Sequence, residues 1–337
     1  MEGGGNSALL FINNKMNFEI KEITSLSNYQ IIVDLWNKEY EFVYPLTTGL
    51  VNKNLSNMNS NASFIAVVDN EVVGFIIGKT SNSYINSYIA NYADNAWISL
   101  IYVCPKYRKN GIGSALIEAV TKIFKKLNCK IIYVGRDLYN FFPGIPEDLK
   151  QFQKFFIDHG FTIGGLTHDL ISRTYTKLDI TNNQYTFRTG TLEDKENILK
   201  FLYETFPGRW YFEGVEYFKE GGSGKEYMLC LNENNEVIAF AKIGLFDSSE
   251  VHSSYSMNFK ARFNKLGGIG PLGVAHAYRG KGLGKDIVVA AKNMLIDYSS
   301  SDFIIDWTGL LEFYRKMGFE VWKVYSYTYK ELGKENI

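Results

Sequence analysis

Two stretches half a chain apart carry one pattern. Tyr107-Arg108-Lys109-Asn110-Gly111-Ile112-Gly113 and Tyr278-Arg279-Gly280-Lys281-Gly282-Leu283-Gly284 both read Arg-x-x-Gly-x-Gly. Each follows an apolar run of strand character (97–104 and 270–275) and precedes an amphipathic run of helical period (114–127 and 285–298). A strand that turns through glycines straight into a helix leaves the first helical N–H groups unpaired. They point together at the positive end of the helix dipole, with no Cβ in front of them. That is the arrangement a phosphate group needs. One copy would serve a plain turn or close helix–sheet packing equally well. Two copies in matching strand–loop–helix contexts favour a duplicated phosphate-binding unit.

The rest of the chain repeats around these loops. The first half reads as a strand over 18–22, a helix over 28–39, a polar Asn-rich stretch, and a hairpin of 64–68 and 71–77 on an Asp69-Asn70 turn. A strand through 98–103, the glycine loop and its helix, a strand over 130–134, a helix over 147–158 and a last strand over 172–178 follow. The second half runs in the same order: strand 185–189, helix 192–204, hairpin 227–231 and 237–243, the strand before the loop, loop, helix, strand 302–306, helix 310–317 and strand 321–329. The polar stretch 179–184 is the expected seam. This places one domain over 17–180, a second over 184–333, and a leader over 1–16. A chain of 337 residues suits two domains. Hairpins mixed with strand–helix–strand crossovers make the class α/β, each unit a mixed, mostly antiparallel sheet with helices on both faces. A dinucleotide-binding fold is not expected, because the glycine loop follows the fourth strand and no acidic residue closes a second strand in the required register.

Lys and Arg total 36 and so do Asp and Glu, so no net field draws this chain to nucleic acid or to an anionic membrane. Cys104, Cys129 and Cys230 lie singly, as buried small hydrophobes do in a reducing compartment. No apolar run approaches the ~20 residues that span a bilayer, and the first residues have neither a basic region nor a cleavage site, so the expected address is the cytoplasm. His159, His168, His252 and His276 are scattered without ligand spacing, so no metal is expected; His276 reads as solvent-facing.

With its second motif the unit resembles the GNAT superfamily of acyl-CoA-dependent N-acyltransferases. That signature pairs an Arg/Gln-x-x-Gly-x-Gly/Ala loop after the fourth strand with a later helix ending Phe-Tyr-x-x-x-Gly-Phe. Here the second copy has Phe313-Tyr314-Arg315-Lys316-Met317-Gly318-Phe319 and the first has Phe155-Phe156-Ile157-Asp158-His159-Gly160-Phe161. The resemblance covers nearly the whole chain as a tandem pair. It implies acetyl-CoA as cofactor, its pyrophosphate on the loops: Arg279, Gly280, Lys281, Gly282, Gly284 and Lys285, and in the first copy Arg108, Lys109, Gly111 and Gly113. It also implies a splay between fourth and fifth strands, where Leu272 and Val274, or Ile101 and Val103, would pair with the pantetheine arm by strand addition. The run from Gly267 to Val274 suits that splay because glycine and proline weaken pairing. The first copy's Ser99 to Val103 is more regular, so the second strand is expected to be the deformed one.

Acetyl transfer to an amine needs a neutral amine, a donor for the developing oxyanion and a proton for the departing thiolate. The resemblance implies that Tyr314 gives that proton. Its alternative is a half-buried aromatic packing its helix on the sheet. Phe156 stands at that position in the first copy and has no proton to give, which makes that copy impaired or structural. Asp306 leaves the fifth strand where the splay opens and would hold or deprotonate an ammonium. It could instead cap the next helix, although Thr308 sits closer to that task. Trp307 is either core packing or a flat platform for a ligand ring. Arg209, Trp210 and Glu213 lie in a region that walls the acceptor site in this superfamily, or they belong to a packed surface loop. Tandem members closest in motif act on glucosamine and glucosaminides, and an aromatic content of 15% is compatible with a sugar acceptor. The expected partner is a small amine, with an aminoglycoside, peptide or polyamine as alternatives and a CoA-binding sensor without chemistry as the other class. The chain is expected to be a monomer or homodimer.

Overall fold

The computed structural model describes residues 16–248 and 259–333. Residues 1–15 of the expected leader and His252 lie outside them. The first copy comprises β1 (Glu19–Glu22), α1 (Gln30–Tyr40), α2 (Thr48–Ser56), β2 (Phe64–Val68), β3 (Glu71–Thr80), α3 (Ser83–Tyr88), β4 (Asn95–Val103), α4 (Ile112–Lys126), β5 (Ile131–Val134), β6 (Ile145–Pro146), α5 (Lys150–Asp158) and β7 (Thr162–Ser172). The second comprises β8 (Thr186–Thr189), α6 (Lys195–Thr205), α7 (Arg209–Lys219), β9 (Tyr227–Leu231), β10 (Val237–Gly244), β11 (Leu266–Val274), α8 (Leu283–Asp297), β12 (Asp302–Thr308), α9 (Leu311–Arg315) and β13 (Glu320–Glu331).

The thirteen strands of the described residues form one sheet, in the order β1-β2-β3-β4-β5-β13-β7-β12-β11-β10-β9-β8, with β6 beside β13. Each copy supplies an antiparallel run of four strands and a parallel fifth. The final strands are exchanged. β13 of the second copy pairs with β5 of the first, and β7 of the first pairs with β12 of the second. The two exchanged strands pair antiparallel at the centre, from Glu320 opposite Ile171 to Tyr329 opposite Thr162, with Tyr325 opposite Thr167 in the middle. Phe161 and Phe319 end the two Phe-rich motifs, so counting from them makes this register symmetric about Thr167 and Tyr325. A local two-fold therefore passes through the middle of the sheet.

Local chemistry explains most elements. The β2–β3 hairpin turns on Asp69 (φ 48) and Asn70 (φ 66), a left-handed pair that twists with its strands. In α4, Leu116, Ile117, Val120 and Phe124 fall on one face and are buried on the sheet. Three expectations are corrected. The first copy's last strand is Thr162–Ser172, not 172–178: Gly160 (φ 78) ends the preceding helix turn, and the strand starts at once. Gly164 and Gly165 obscure that strand in the sequence, yet a Cβ at Gly164 would lie 2.7 Å from the Tyr327 ring. The Asn-rich stretch contains α2, capped by Thr47, whose side chain accepts from the Leu50 N–H. Arg209, Trp210 and Glu213 sit on a helix, α7, rather than in a loop.

Candidate active site

The two glycine loops follow the same backbone path. Gly111 (φ 86, ψ −7) opens α4 and Gly282 (φ 85, ψ −8) opens α8. Two residues earlier, Gly280 has φ 77, whereas the first copy holds Lys109 at φ 65, a left-handed conformation that costs a lysine and not a glycine. A Cβ at Gly111 or Gly280 would meet nothing within 4 Å, so the approach to both loops is clear. Each loop arginine ties its loop to the preceding strand, Arg108 Nε donating to Val103 O at 2.8 Å and Arg279 Nε to Val274 O at 3.0 Å. Arg108 is also paired with Glu39 at 2.5 Å, while Arg279 is exposed, as are Lys281, Lys285 and His276. Asp286, buried in the first turn of α8, backs the second loop. It accepts from Thr181 and Asn182 of the linker, and Asn182 Nδ2 also donates to Lys281 O at 3.1 Å. Burial would raise that carboxyl, but these hydrogen bonds hold it below the ordinary carboxylate range.

Beyond the loops the parallel strands part in both copies. β4 and β5 pair from Asn95–Ile131 to Ile98–Val134, and β11 and β12 from Leu266–Asp302 to Gly268–Ile304. Contrary to expectation the first strand is deformed too. The β3–β4 register slips opposite Ser99, and the β10–β11 register slips at the equivalent Gly270 (φ 139) and the cis Gly270–Pro271 bond. Past the slip, Ile101 is buried, whereas Val103, Leu272 and Val274 are half-buried.

At the second splay β12 ends in Asp306, Trp307 and Thr308. A Cβ at Gly270 would lie 3.6 Å from Asp306 Oδ1, so this carboxylate faces the slipped part of β11 across the gap. Tyr314 on α9 is 5% exposed and packs on Phe313 and Phe319. Burial, followed by the charge of Asp306, pushes its hydroxyl up to about 12, against a smaller opposing effect of the Thr308 hydroxyl. Trp307 has a left-handed backbone (φ 48). Its N–H donates at 3.0 Å to Asp169 Oδ1, and Tyr325 O–H donates at 2.6 Å to Asp169 Oδ2. Asp169 comes from exchanged strand β7 of the first copy. Burial, then Asp306, pushes its carboxyl up to about 7.

The Trp307 ring lies 4.9 Å from the guanidinium of Arg209 and 4.9 Å from that of Arg136. Arg209 donates to Glu213 at 2.7 Å and to Arg136 O at 3.2 Å. Arg209, Glu213, Trp307 and Arg136 are thus one cluster between the copies, and Asp306 adjoins it through the chain at Trp307. Trp210 is not part of it: it turns into the core, 4.9 Å from the Phe206 ring and 6.0 Å from Phe240. Asp169 and Arg136 escaped the sequence reading because both belong to the other copy. A lone acid within an apolar strand would have marked Asp169 had β7 been placed correctly.

The equivalent corner of the first copy is closed. Gly135, Arg136 and Asp137 occupy the places of Asp306, Trp307 and Thr308, and Phe156 that of Tyr314. Asp137 and Lys79 form a fully buried ion pair, to which Ser99 Oγ, Asn54 Oδ1 and Leu138 O are hydrogen-bonded. The segment after Asp137 buries Phe141 and Phe142. The cavity left in this splay, walled by Trp36, Phe142, Phe152 and Phe156, measures about 30 Å³.

A profile of the acetyltransferase (GNAT) family matches residues 29–142 and again 195–319. A GCN5-related glucosamine N-acetyltransferase region of a fungal multi-domain GH3 beta-N-acetylglucosaminidase is similar with a TM-score of 0.80 at 22% identity, over 93% of this chain and 38% of that one. A tandem GNAT protein from the clavulanic acid biosynthesis pathway is similar with a TM-score of 0.68 at 13% identity, over 95% of this chain and 100% of that one. A GCN5-related N-acetyltransferase from Sphaerobacter thermophilus gives 0.67 at 13% identity, over 93% and 95%. These likenesses concern the fold. No curated protein matches. The twice-matching profile, the paired glycine loops and the parted parallel strands agree: the chain belongs to the GNAT family of acetyltransferases and carries two GNAT domains in tandem.

Proposed function

We propose that the second copy (184–333) moves an acetyl group from acetyl-CoA to the primary amine of a small acceptor, an amino sugar such as glucosamine, and that the first (17–180) is its structural partner. The observation that carries this reading is the meeting of Asp306 and Tyr314 at the open end of the second splay, beside the Trp307–Arg209–Glu213 cluster.

The residues present fit acetyl-CoA: the space in front of Gly280 is clear, Gly282 starts α8 at the positive end of its dipole, and β11 parts from β12. The main chain from Arg279 to Lys285 would hold the pyrophosphate, and the edges at Leu272 and Val274 the pantetheine arm. When bound, acetyl-CoA supplies an activated acetyl thioester. Asp306 anchors the acceptor ammonium and takes its proton at a carboxylate oxygen, leaving a neutral amine. Tyr314 keeps its proton at neutral pH and delivers it from Oη to the sulfur. It is a weaker acid than an ordinary thiol at about 8.5, so it gives the proton up as the C–S bond breaks and regains one from the former amine, whose second proton is lost once its nitrogen has bonded to the acetyl carbon. The Trp307 ring carries the guanidinium groups of Arg136 and Arg209 and so steadies Arg209, which with Glu213 offers donors and acceptors for hydroxyls.

In the first copy the loop around Arg108, Lys109, Gly111 and Gly113 keeps the cradle's shape, yet Phe156, Gly135 and the buried Lys79–Asp137 pair replace the reactive groups. Buried Cys129 and Cys230 fit a cytoplasmic setting. Free-thiol release from acetyl-CoA, measured with glucosamine, a glucosaminide, an aminoglycoside, a polyamine and a peptide, tests the reading. Release that favours amino sugars supports it, and preference for another amine replaces the acceptor. Saturable CoA binding without release from any amine would make the protein a CoA-binding sensor.

A further inference from the structure

The strand exchange is symmetric in backbone and unequal in chemistry. Counted from Phe161 and Phe319, Asp169 on β7 and Tyr327 on β13 hold the same place. β7 brings a carboxylate to the end of the second copy's fifth strand, where it accepts the Trp307 N–H at 3.0 Å. β13 brings a phenol ring to the end of the first copy's fifth strand, 4.6 Å from the Arg136 guanidinium. One copy lends the other a titratable group and receives an aromatic plate.

We infer that Asp169 is a positioning residue of the second copy's site: its carboxylate holds the main chain of Trp307, aims the adjoining Asp306 into the splay, and sets the charge environment of Asp306. This rests on the reading of Asp306 as base. At 2% exposure Asp169 is sealed from solvent, so its hydrogen bonds have no water to replace them. Trp307 departs from strand geometry with φ 48, a backbone state that a bulky residue holds only when its surroundings impose it. The Asp169 carboxylate accepts the N–H that this state presents, as Phe142 O accepts that of the equivalent Arg136 (φ 68) in the first copy, so what Asp169 adds at this place is a charged acceptor.

The groups facing Asp169 are Asp306 from β12 and Tyr325 and Lys323 from β13; Tyr44 and Asp148 act through Tyr325, and Tyr314 faces Asp306 from α9. Two carboxylates within electrostatic reach lose their protons in steps that belong to the pair, and the like charge lifts the later step. With Asp169 pushed up to about 7, the pair should titrate within the working range of a cytoplasmic enzyme.

The test uses the full chain and reads kcat, acetyl-CoA KM, the pH profile of kcat/KM, and pH-dependent tryptophan fluorescence, in which the difference between wild type and Trp307→Phe isolates Trp307. Wild type should show an inflection near pH 7 in both the profile and the Trp307 signal. Asp169→Asn keeps an acceptor for the Trp307 N–H and removes the charge, so the inflection should vanish and the acid limb should move to lower pH. Asp169→Ala should in addition lower kcat about 10- to 100-fold, with acetyl-CoA KM unchanged because the glycine loop is untouched. If both variants fold poorly, Tyr325→Phe serves instead. Losing the Tyr325 bond to the ionised form should move the inflection to higher pH. Wild-type profiles in Asp169→Asn, or an unmoved inflection in Tyr325→Phe, would overturn the inference. A Trp307 transition abolished by Asp169→Asn in a protein that turns over no amine supports the hold on Trp307 and refutes acetyl transfer at Asp306, so the two failures are distinguishable.

Discussion

At the end of β5 the chain reads Gly135-Arg136-Asp137; at the end of β12, in the same place of the repeated unit, it reads Asp306-Trp307-Thr308. The middle residue is left-handed in both, Arg136 at φ 68 and Trp307 at φ 48, while the first residue is left-handed only in the first copy, where it is Gly135 (φ 67). The side chains do opposite things. In the first copy the only acid of the three, Asp137, is neutralised by Lys79 and sealed, and the Tyr314 position is phenylalanine. In the second, Asp306 faces the gap between strands, with Tyr314 and Asp169 in its field. Duplication therefore preserved the frame of both copies and not the side chains at this corner. On the proposed function, what separates a working corner from a structural one is where the carboxylates point and what neutralises them.

The largest expected effect is at Asp306. Asp306→Asn should lower kcat/KM for the amine about 10³-fold, near the middle of the range for a lost base. Amine turnover at the wild-type rate by the Asp306→Asn chain would break the comparison. Lys79→Met comes next and is read in stability. It strands Asp137 as a buried charge at a cost of about 3–5 kcal/mol, visible as a lower Tm with unchanged kcat in the folded fraction. Loss of turnover at unchanged Tm would place the first copy in the chemistry. Tyr314→Phe should lower kcat about 100-fold with acetyl-CoA KM intact, and Phe156→Tyr should add nothing. The smallest effect compares the loops. Gly282→Ala forces a Cβ into the left-handed region at a cost of about 1 kcal/mol and should raise acetyl-CoA KM up to tenfold, whereas Gly111→Ala should leave KM alone and lower Tm by a few degrees at most.

The residues that made this asymmetry legible in the sequence are local. Arg-x-x-Gly-x-Gly, the Asp69-Asn70 turn and the Tyr314/Phe156 mismatch each depend on neighbours a few positions away. What stayed hidden is non-local. β7 and β13 have the same alternation whether they pair within their own copy or across copies, because a strand's pattern records which face is buried and not which neighbour lies at its edge. The pattern could therefore mark Asp169 as a buried acid of β7 but not assign it to the second copy's site. Helix α7 was obscured differently: Pro207, Gly208 and the aromatics after them have loop character, and only their packing on β10 and α3 makes them helical.

The exchanged strand has a consequence for the birth of the molecule. β13, the last strand of the second copy, lies in the middle of the finished sheet, between β5 and β7. Nearly two hundred residues separate it from β5, so at about 5–20 residues per second a growing chain carries an unpaired β5 edge for about ten to forty seconds. An open edge of that kind invites pairing with other chains. The centre of this sheet closes only once β13 has been made, and a chain truncated before β13 lacks the strand that bridges β5 to β7.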